Sequence, residues 1–181
     1  LVGHSTSGTL NAAQYNTGVG IDTLDALVTA DLNTAVGFAA LTANTAGTGN
    51  TAVGASALLT VATTPYNVGI GASAGKLVVG DYNTCLGAFA GDNITSGDGN
   101  VIIGGGNADS ATGSRQLKVF GYDGSTRTTW ITGDSDGILS IGGNAESQAI
   151  LKFYEDSDNG SNYIAVQSPA ASAAGSDFTL T

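Results

Sequence analysis

Asn50-Thr51-Ala52-Val53-Gly54 is one statement of a phrase that runs through the first part of this 181-residue chain. It returns as Asn16-Thr17-Gly18-Val19-Gly20, Asn33-Thr34-Ala35-Val36-Gly37, Asn67-Val68-Gly69-Ile70-Gly71, Asn83-Thr84-Cys85-Leu86-Gly87 and Asn100-Val101-Ile102-Ile103-Gly104, and its tail is present at Val2-Gly3. The closing glycines, from Gly3 through Gly20, Gly37, Gly54, Gly71, Gly87 and Gly104, are spaced 17, 17, 17, 17, 16 and 17. Self-similarity at a short fixed period means stacked units that bury a core only together. A unit of this size is too short for a helix pair or a propeller blade but fits one turn of a β-solenoid. Turns stacked at the interstrand distance of ~4.8 Å make a rod roughly 29 Å long over six intervals.

Each column of such a stack has a physical task. The asparagines Asn16, Asn33, Asn50, Asn67, Asn83 and Asn100 can form an amide ladder. The glycines Gly20, Gly37, Gly54, Gly71, Gly87 and Gly104 mark a corner that needs positive φ or close backbone approach. The column Val2, Val19, Val36, Val53, Ile70, Leu86 and Ile103 is expected to fill a thin core. Two columns of small residues are expected to admit another rod alongside. One is Gly18, Ala35, Ala52, Gly69 and Cys85; the other is the Ala column after the key glycine, Ala40, Ala57, Ala74 and Ala90. Several identical rods side by side, with three the first choice, is the economical arrangement, and a lone rod is the alternative.

The rest of the chain departs from this pattern. Residues 1–104 read as the repeat array, 105–145 as a connector with a β-hairpin, and 146–181 as a small β module. In the connector Arg115, Gln116 and Lys118 fit no column. A hairpin is expected from Gln116–Tyr122 and Arg127–Ile131 around Asp123-Gly124, followed by a short strand from Gly137 to Ile141. In the last module Ala149–Tyr154 and Tyr163–Gln167 flank Asp156-Ser157-Asp158-Asn159-Gly160. Aromatic residues number five in the first 104 positions and seven in the last 77, so the second part is expected to pack a bulkier core.

Composition narrows the classes of function. Glycine contributes 28 residues without a Gly-X-Y period, which excludes collagen. A hydrophobic content of 41% with 11% charged residues is too apolar for a disordered chain. The net charge of −10 divides evenly, −5 over residues 1–104 and −5 over 105–181. That argues against nucleic acid and against anionic lipid, whose binders carry basic patches. No apolar run reaches the ~20 residues that span a bilayer. The chain opens at Leu1 without Met and reads as a segment of something longer.

The array resembles the head repeats of trimeric autotransporter adhesins (the YadA-like head), whose phrase of Asn-Ser/Thr-small-aliphatic-Gly followed by Ala or Ser is what Asn50 to Ala57 shows. It is also similar to repeats in tail-fibre and other virion proteins of marine bacteriophages. Residues 115–133 and 150–169 resemble structural proteins of those phages, which favours the phage side. The resemblance implies an all-β fold, a left-handed parallel β-roll of about seven coils followed by small β-hairpin modules, three intertwined or adjacent chains, and a fibre role. It implies as partners the chain itself, other virion tail proteins and a host cell-surface glycan or protein. The expected place is the virion tail fibre, with the bacterial cell surface as the adhesin alternative. The period of 17 exceeds that of the adhesin heads, and nothing resembles their coiled-coil stalk or membrane anchor.

No candidate for chemistry survives its plainer reading. Asp156–Gly160 lacks the Gly and Glu that an EF-hand loop places sixth and twelfth, where Ser161 and Gln167 stand, so it reads as a turn. Asp134-Ser135-Asp136-Gly137 reads the same way. His4 is the only histidine, too few for a zinc site within one chain. Cys85, the only cysteine, reads as a packing thiol. No cofactor, metal or catalytic residue is expected. Tyr15, Tyr66 and Tyr82 each precede a column asparagine and could form a glycan-binding strip, or could simply cover a turn with amphipathic rings. Two other classes find partial support in the sequence. A left-handed β-helix acyltransferase has the hexad Val36–Leu41 in its favour but needs about three hexads per coil. An ice-binding solenoid has the threonines Thr17, Thr34, Thr51 and Thr84, interrupted by Val68 and Val101.

Overall fold

The computed structural model describes residues 13–141 and the backbones of strands 150–154 and 163–167. The described residues are all-β, and the array is a β-solenoid. Seven strands stack in parallel and in chain order: β1 Thr17–Val19, β2 Thr34–Val36, β3 Thr51–Val53, β4 Val68–Ile70, β5 Thr84–Leu86, β6 Val101–Ile103 and β7 Leu117–Tyr122. β8 (Arg127–Gly133) and β9 (Leu139–Ile141) then extend the sheet in antiparallel fashion. β10 (Ile150–Tyr154) and β11 (Tyr163–Gln167) form a separate antiparallel pair.

Register follows the phrase. Thr34-Ala35-Val36 pairs residue for residue with Thr51-Ala52-Val53, and Val68-Gly69-Ile70 with Thr84-Cys85-Leu86. The solenoid does not stop at Gly104. Leu117, Lys118 and Val119 pair in parallel with Val101, Ile102 and Ile103, so the residues expected to fit no column occupy three of them. Gln116 takes the asparagine position, Lys118 the small-residue position, and Arg115 shares the positive φ of Tyr15, Tyr66 and Tyr82.

The buried asparagines bind the coils along the axis. The backbone N–H of Asn50 donates to Asn33 Oδ1 at 2.8 Å, Asn67 N–H to Asn50 Oδ1 at 2.8 Å, and Asn83 N–H to Asn67 Oδ1 at 2.9 Å. Asn100 continues the series onto Asn83, and Gln116 ends it on Asn100 Oδ1 at 2.9 Å. The side-chain amides are spent as donors: Asn33 Nδ2 reaches the carbonyl of Gly47 at 2.9 Å and Asn50 Nδ2 that of Thr64 at 3.0 Å. All five from Asn33 to Asn100 are fully buried. A buried amide needs every donor and acceptor met, and these meet them within the stack.

The glycine corner has a steric cause. Gly54 has φ +135°, and a Cβ there would lie 2.5 Å from the carbonyl oxygen of Gly71 in the next coil. Gly20, Gly37 and Gly71 stand the same way against their successors.

The core is the reverse of the expected one. The column Val19, Val36, Val53, Ile70, Leu86 and Ile103 lies on the outside of the coil, and Val19 is 41% and Leu86 43% exposed. The middle residues of the strands, Ala35, Ala52, Cys85 and Ile102, point inward and are fully buried. The Ala column after the glycine is interior too, so neither column of small residues is a surface for a neighbouring rod. The wall facing the sheet explains this. Leu24, Leu41 and Leu58 adopt positive φ (53°, 50° and 48°), which breaks strand alternation and lets two successive residues, Ala40-Leu41 for instance, both face inward. Their side chains then fill the space over the sheet. A Cβ on Gly69 would sit 2.7 Å from Leu58 Cγ. Where the facing wall shrinks to Gly75 and Gly91, the strand residues grow to Cys85 and Ile102, and a Cβ on Gly91 would meet Cys85 Sγ at 2.7 Å. Large and small residues therefore trade places to hold the interior at close packing.

At the last coil the interior column ends on a charge. Lys118 is nearly buried, and its Nζ meets Asp109 Oδ2 at 2.6 Å. A solenoid needs a polar terminus to its apolar column, and Lys118 supplies it.

Asn50→Ala removes the acceptor of the buried Asn67 N–H and is expected to cost about 1–3 kcal/mol. Gly54→Ala adds backbone strain of about 1–3 kcal/mol to a clash with backbone and should be the more damaging. Urea unfolding followed by far-ultraviolet circular dichroism reads both; an unchanged midpoint for Gly54→Ala would contradict the corner geometry.

Candidate functional site

The interior of the described coils is filled by buried side chains, and the outward positions form their exposed face. The first and third residues of every coil strand point outward on one sheet. One outward column is Thr17, Thr34, Thr51, Val68, Thr84, Val101 and Leu117; the other runs from Val19 to Ile103 and on to Val119. None of these positions carries a charge, in a chain whose net charge is −10. Ile21 and Phe38, each 56% exposed, widen the apolar strip just beyond the glycine corner. At ~4.8 Å per coil the strip is roughly 29 Å long, an apolar patch on the order of a few hundred Å², the size that marks interaction surfaces.

A second feature is the tyrosine corner. The residues before the ladder positions share a left-handed backbone, with φ 57° at Tyr15, 59° at Leu32, 58° at Tyr66 and 58° at Tyr82, and with Gly49 and Gly99 in the same column. Tyr66 and Tyr82 stack with centroids 5.3 Å apart and planes at 21°. The Tyr66 ring also lies over Gly49, where a Cβ would be 2.7 Å from Tyr66 Cδ1. Tyr15 is not part of this pair; Leu32 and Gly49 separate it from Tyr66. The structure therefore brings two of the three tyrosines together, and one of them covers bare backbone.

Beside that corner runs an exposed ladder that sequence reading missed. Gln14 N–H donates to Asp31 Oδ1 at 2.6 Å, Asp81 N–H to Asp98 Oδ1 at 2.8 Å, and Asp98 N–H to Ser114 Oγ at 2.9 Å. Its side chains differ from coil to coil, so identity gave no signal; only their common distance from the asparagines could have. Burial and the nearby Asp98 carboxylate hold the Asp81 carboxyl above its ordinary value.

The remaining polar groups have structural partners. Cys85 is fully buried, and burial, helped by Asp92, pushes its thiol up to about 12. Asp123 Oδ1 accepts from the Ser125 and Thr126 amides, which lower its pKa, and Asp134 Oδ1 accepts from those of Asp136 and Ile138; both are turns. Among the described residues no group of three or more His, Cys, Asp or Glu could hold a metal, and no helix is long and apolar enough to cross a membrane. Val2, Gly3, His4 and Asp156–Gly160 lie outside the described residues.

These features define a β-solenoid repeat chain with an uncharged outer strip and an aromatic corner. Comparison with protein-family models, with curated proteins and with solved structures finds no match.

The raised pKa of Asp81 has a testable sign. An acid whose pKa is raised by folding disfavours the folded state when ionised, so the cost is present at neutral pH and fades as pH falls through the raised pKa towards 3.8. Asp81→Asn is expected to raise Tm near neutral pH, with the gain vanishing in acid below that ordinary value. Calorimetry across the pH range checks it; a gain independent of pH would contradict this origin.

Proposed function

We propose that this chain is a structural segment of a phage virion fibre, a rigid rod that assembles as a homotrimer and presents a host-attachment surface. The observation that carries the reading is the uncharged outward strip. It runs the length of a rod whose own core is already filled, so among the described residues its apolar columns have no partner. Identical copies offer the simplest one, because closed rotational symmetry covers the same strip on every protomer. The head-repeat phrase and the phage-like residues 115–133 and 150–169 support the same reading. The fibre's role is mechanical: it extends and orients a binding surface, with other virion proteins at its ends. A bacterial trimeric adhesin would use the same rod.

Static light scattering is expected to give three chain masses, and a stable monomer would contradict the proposal. Ile70→Asp, at an outward position 38% exposed in the single chain, should release monomers that keep the far-ultraviolet spectrum of the native protein. Retained assembly in that variant would place the contact elsewhere.

The outward Thr17, Thr34, Thr51 and Thr84 in register on a parallel sheet give an ice-binding reading one observation in its favour. Val68, Val101 and Leu117 interrupt the column. Thermal hysteresis of the purified protein is expected to be nil, and a measurable value would reverse that ranking.

A further inference from the structure

Where the last coils meet the β7–β8 hairpin, a cleft of about 540 Å³ opens on the surface. Its volume falls within the ~300–1,000 Å³ of small-molecule sites. Ala88 and Gly105 line it together with the Phe89 and Tyr122 rings. Phe89 is out of keeping with its column, whose other members are Asp22, Ala39, Ser56 and Ser73, all at the same positive φ. It is nevertheless 56% exposed, so the apolar ring is not there to fill the core. Tyr122 is 60% exposed, and its hydroxyl donates to the Gly124 carbonyl at 3.0 Å, which fixes the ring at the rim.

Three planar polar side chains complete the lining: the Asp92 carboxylate, the Asn107 amide and the Arg127 guanidinium. Among the described residues none of the three has a hydrogen bond or ion pair within the chain. Arg127 pairs across the hairpin with Tyr122, and its guanidinium lies 5.9 Å from the centroid of the Phe120 ring, which holds it in place without using its donors. The cleft thus offers aromatic faces beside a carboxylate, an amide and a guanidinium with donors and acceptors to spare.

We infer that this cleft is a saccharide-binding site. A pyranose presents apolar C–H groups on its faces and pairs of vicinal hydroxyls at its edges. Aromatic rings accept the former, and planar two-pronged polar groups take the latter. The one cation and one carboxylate balance, in a chain of net charge −10, which favours an uncharged sugar over a phosphate or nucleotide. The site lies apart from the Tyr66–Tyr82 corner, and its hairpin wall forms only once β8 turns back on β7. The inference deepens the attachment reading by naming the ligand class and the place, but it rests on the cleft's own chemistry.

The test is a glycan array of bacterial and animal surface oligosaccharides probed with the full chain. The retained oligosaccharide is then titrated by calorimetry against the native protein, Phe89→Ala, Arg127→Ala and Tyr66→Ala. Phe89→Ala is compatible with the fold because Ala39 holds the same backbone conformation, and Arg127 is exposed. The expected result is a retained glycan whose affinity falls at least about tenfold in Phe89→Ala and in Arg127→Ala, with Tm and scattering mass unchanged, while Tyr66→Ala binds as the native protein does. No retained glycan, or binding unaltered by both cleft variants, overturns the assignment. The scattering mass on the same samples separates the two ideas: trimers without saccharide binding reject the cleft alone, and binding by a monomer rejects the trimeric fibre alone.

Discussion

Every coil of this rod hangs on one contact, the hydrogen bond from the backbone N–H of a ladder residue to the side-chain carbonyl of the ladder residue one coil before. The donor is buried within the solenoid, where water cannot reach it, and an unmet buried N–H costs about 1–3 kcal/mol. Only a side chain with an acceptor of the right reach can serve, and it must carry donors of its own that find carbonyls nearby. Asparagine meets both conditions, with Nδ2 of Asn33 and Asn50 spent on Gly47 and Thr64. The requirement recurs once per coil, and so does the residue.

That contact also sets what can vary. Leu27, Asn44, Val61 and Ile94 stand six positions before their ladder residues, but Val78 stands five before Asn83. The residue missing from that coil comes out of the turn between Val78 and Gly80, and ladder, strand and corner stay in register. At the end of the array Gln116 replaces asparagine and still donates its N–H to Asn100 Oδ1, while its longer side chain reaches the carbonyls of Ser110 and Gly113.

The asparagine and glycine columns were legible in the sequence because their tasks depend on one residue type. The interior was not. In a strand of three residues a large side chain ordinarily goes in, but here the facing leucines occupy the space and only Ala or Gly fits opposite. The clue to that inversion is the positive φ of Leu24, Leu41 and Leu58, a conformation leucine does not advertise. The final coil was hidden for a related reason: Gln116 and Lys118 perform column tasks with side chains foreign to their columns. The tyrosines were identified, but their pairing depends on Leu32 and Gly49, which share a backbone conformation and not a side chain. The cleft at Phe89 was beyond reach because one wall comes from a hairpin that folds back onto coils up to 39 positions earlier, the separation of Ala88 and Arg127.

The described coils fill their interior with their own leucines, and their aliphatic strip faces outward. The ladder holds the rod together, and amide hydrogen exchange reads it residue by residue. The N–H groups of Asn50, Asn67, Asn83, Asn100 and Gln116 should exchange only with global opening of the rod, far more slowly than those of Asp81 and Asp98 on the exposed ladder. Exchange of the buried set at the rate of the exposed one would show that the asparagine contacts do not hold the coils together.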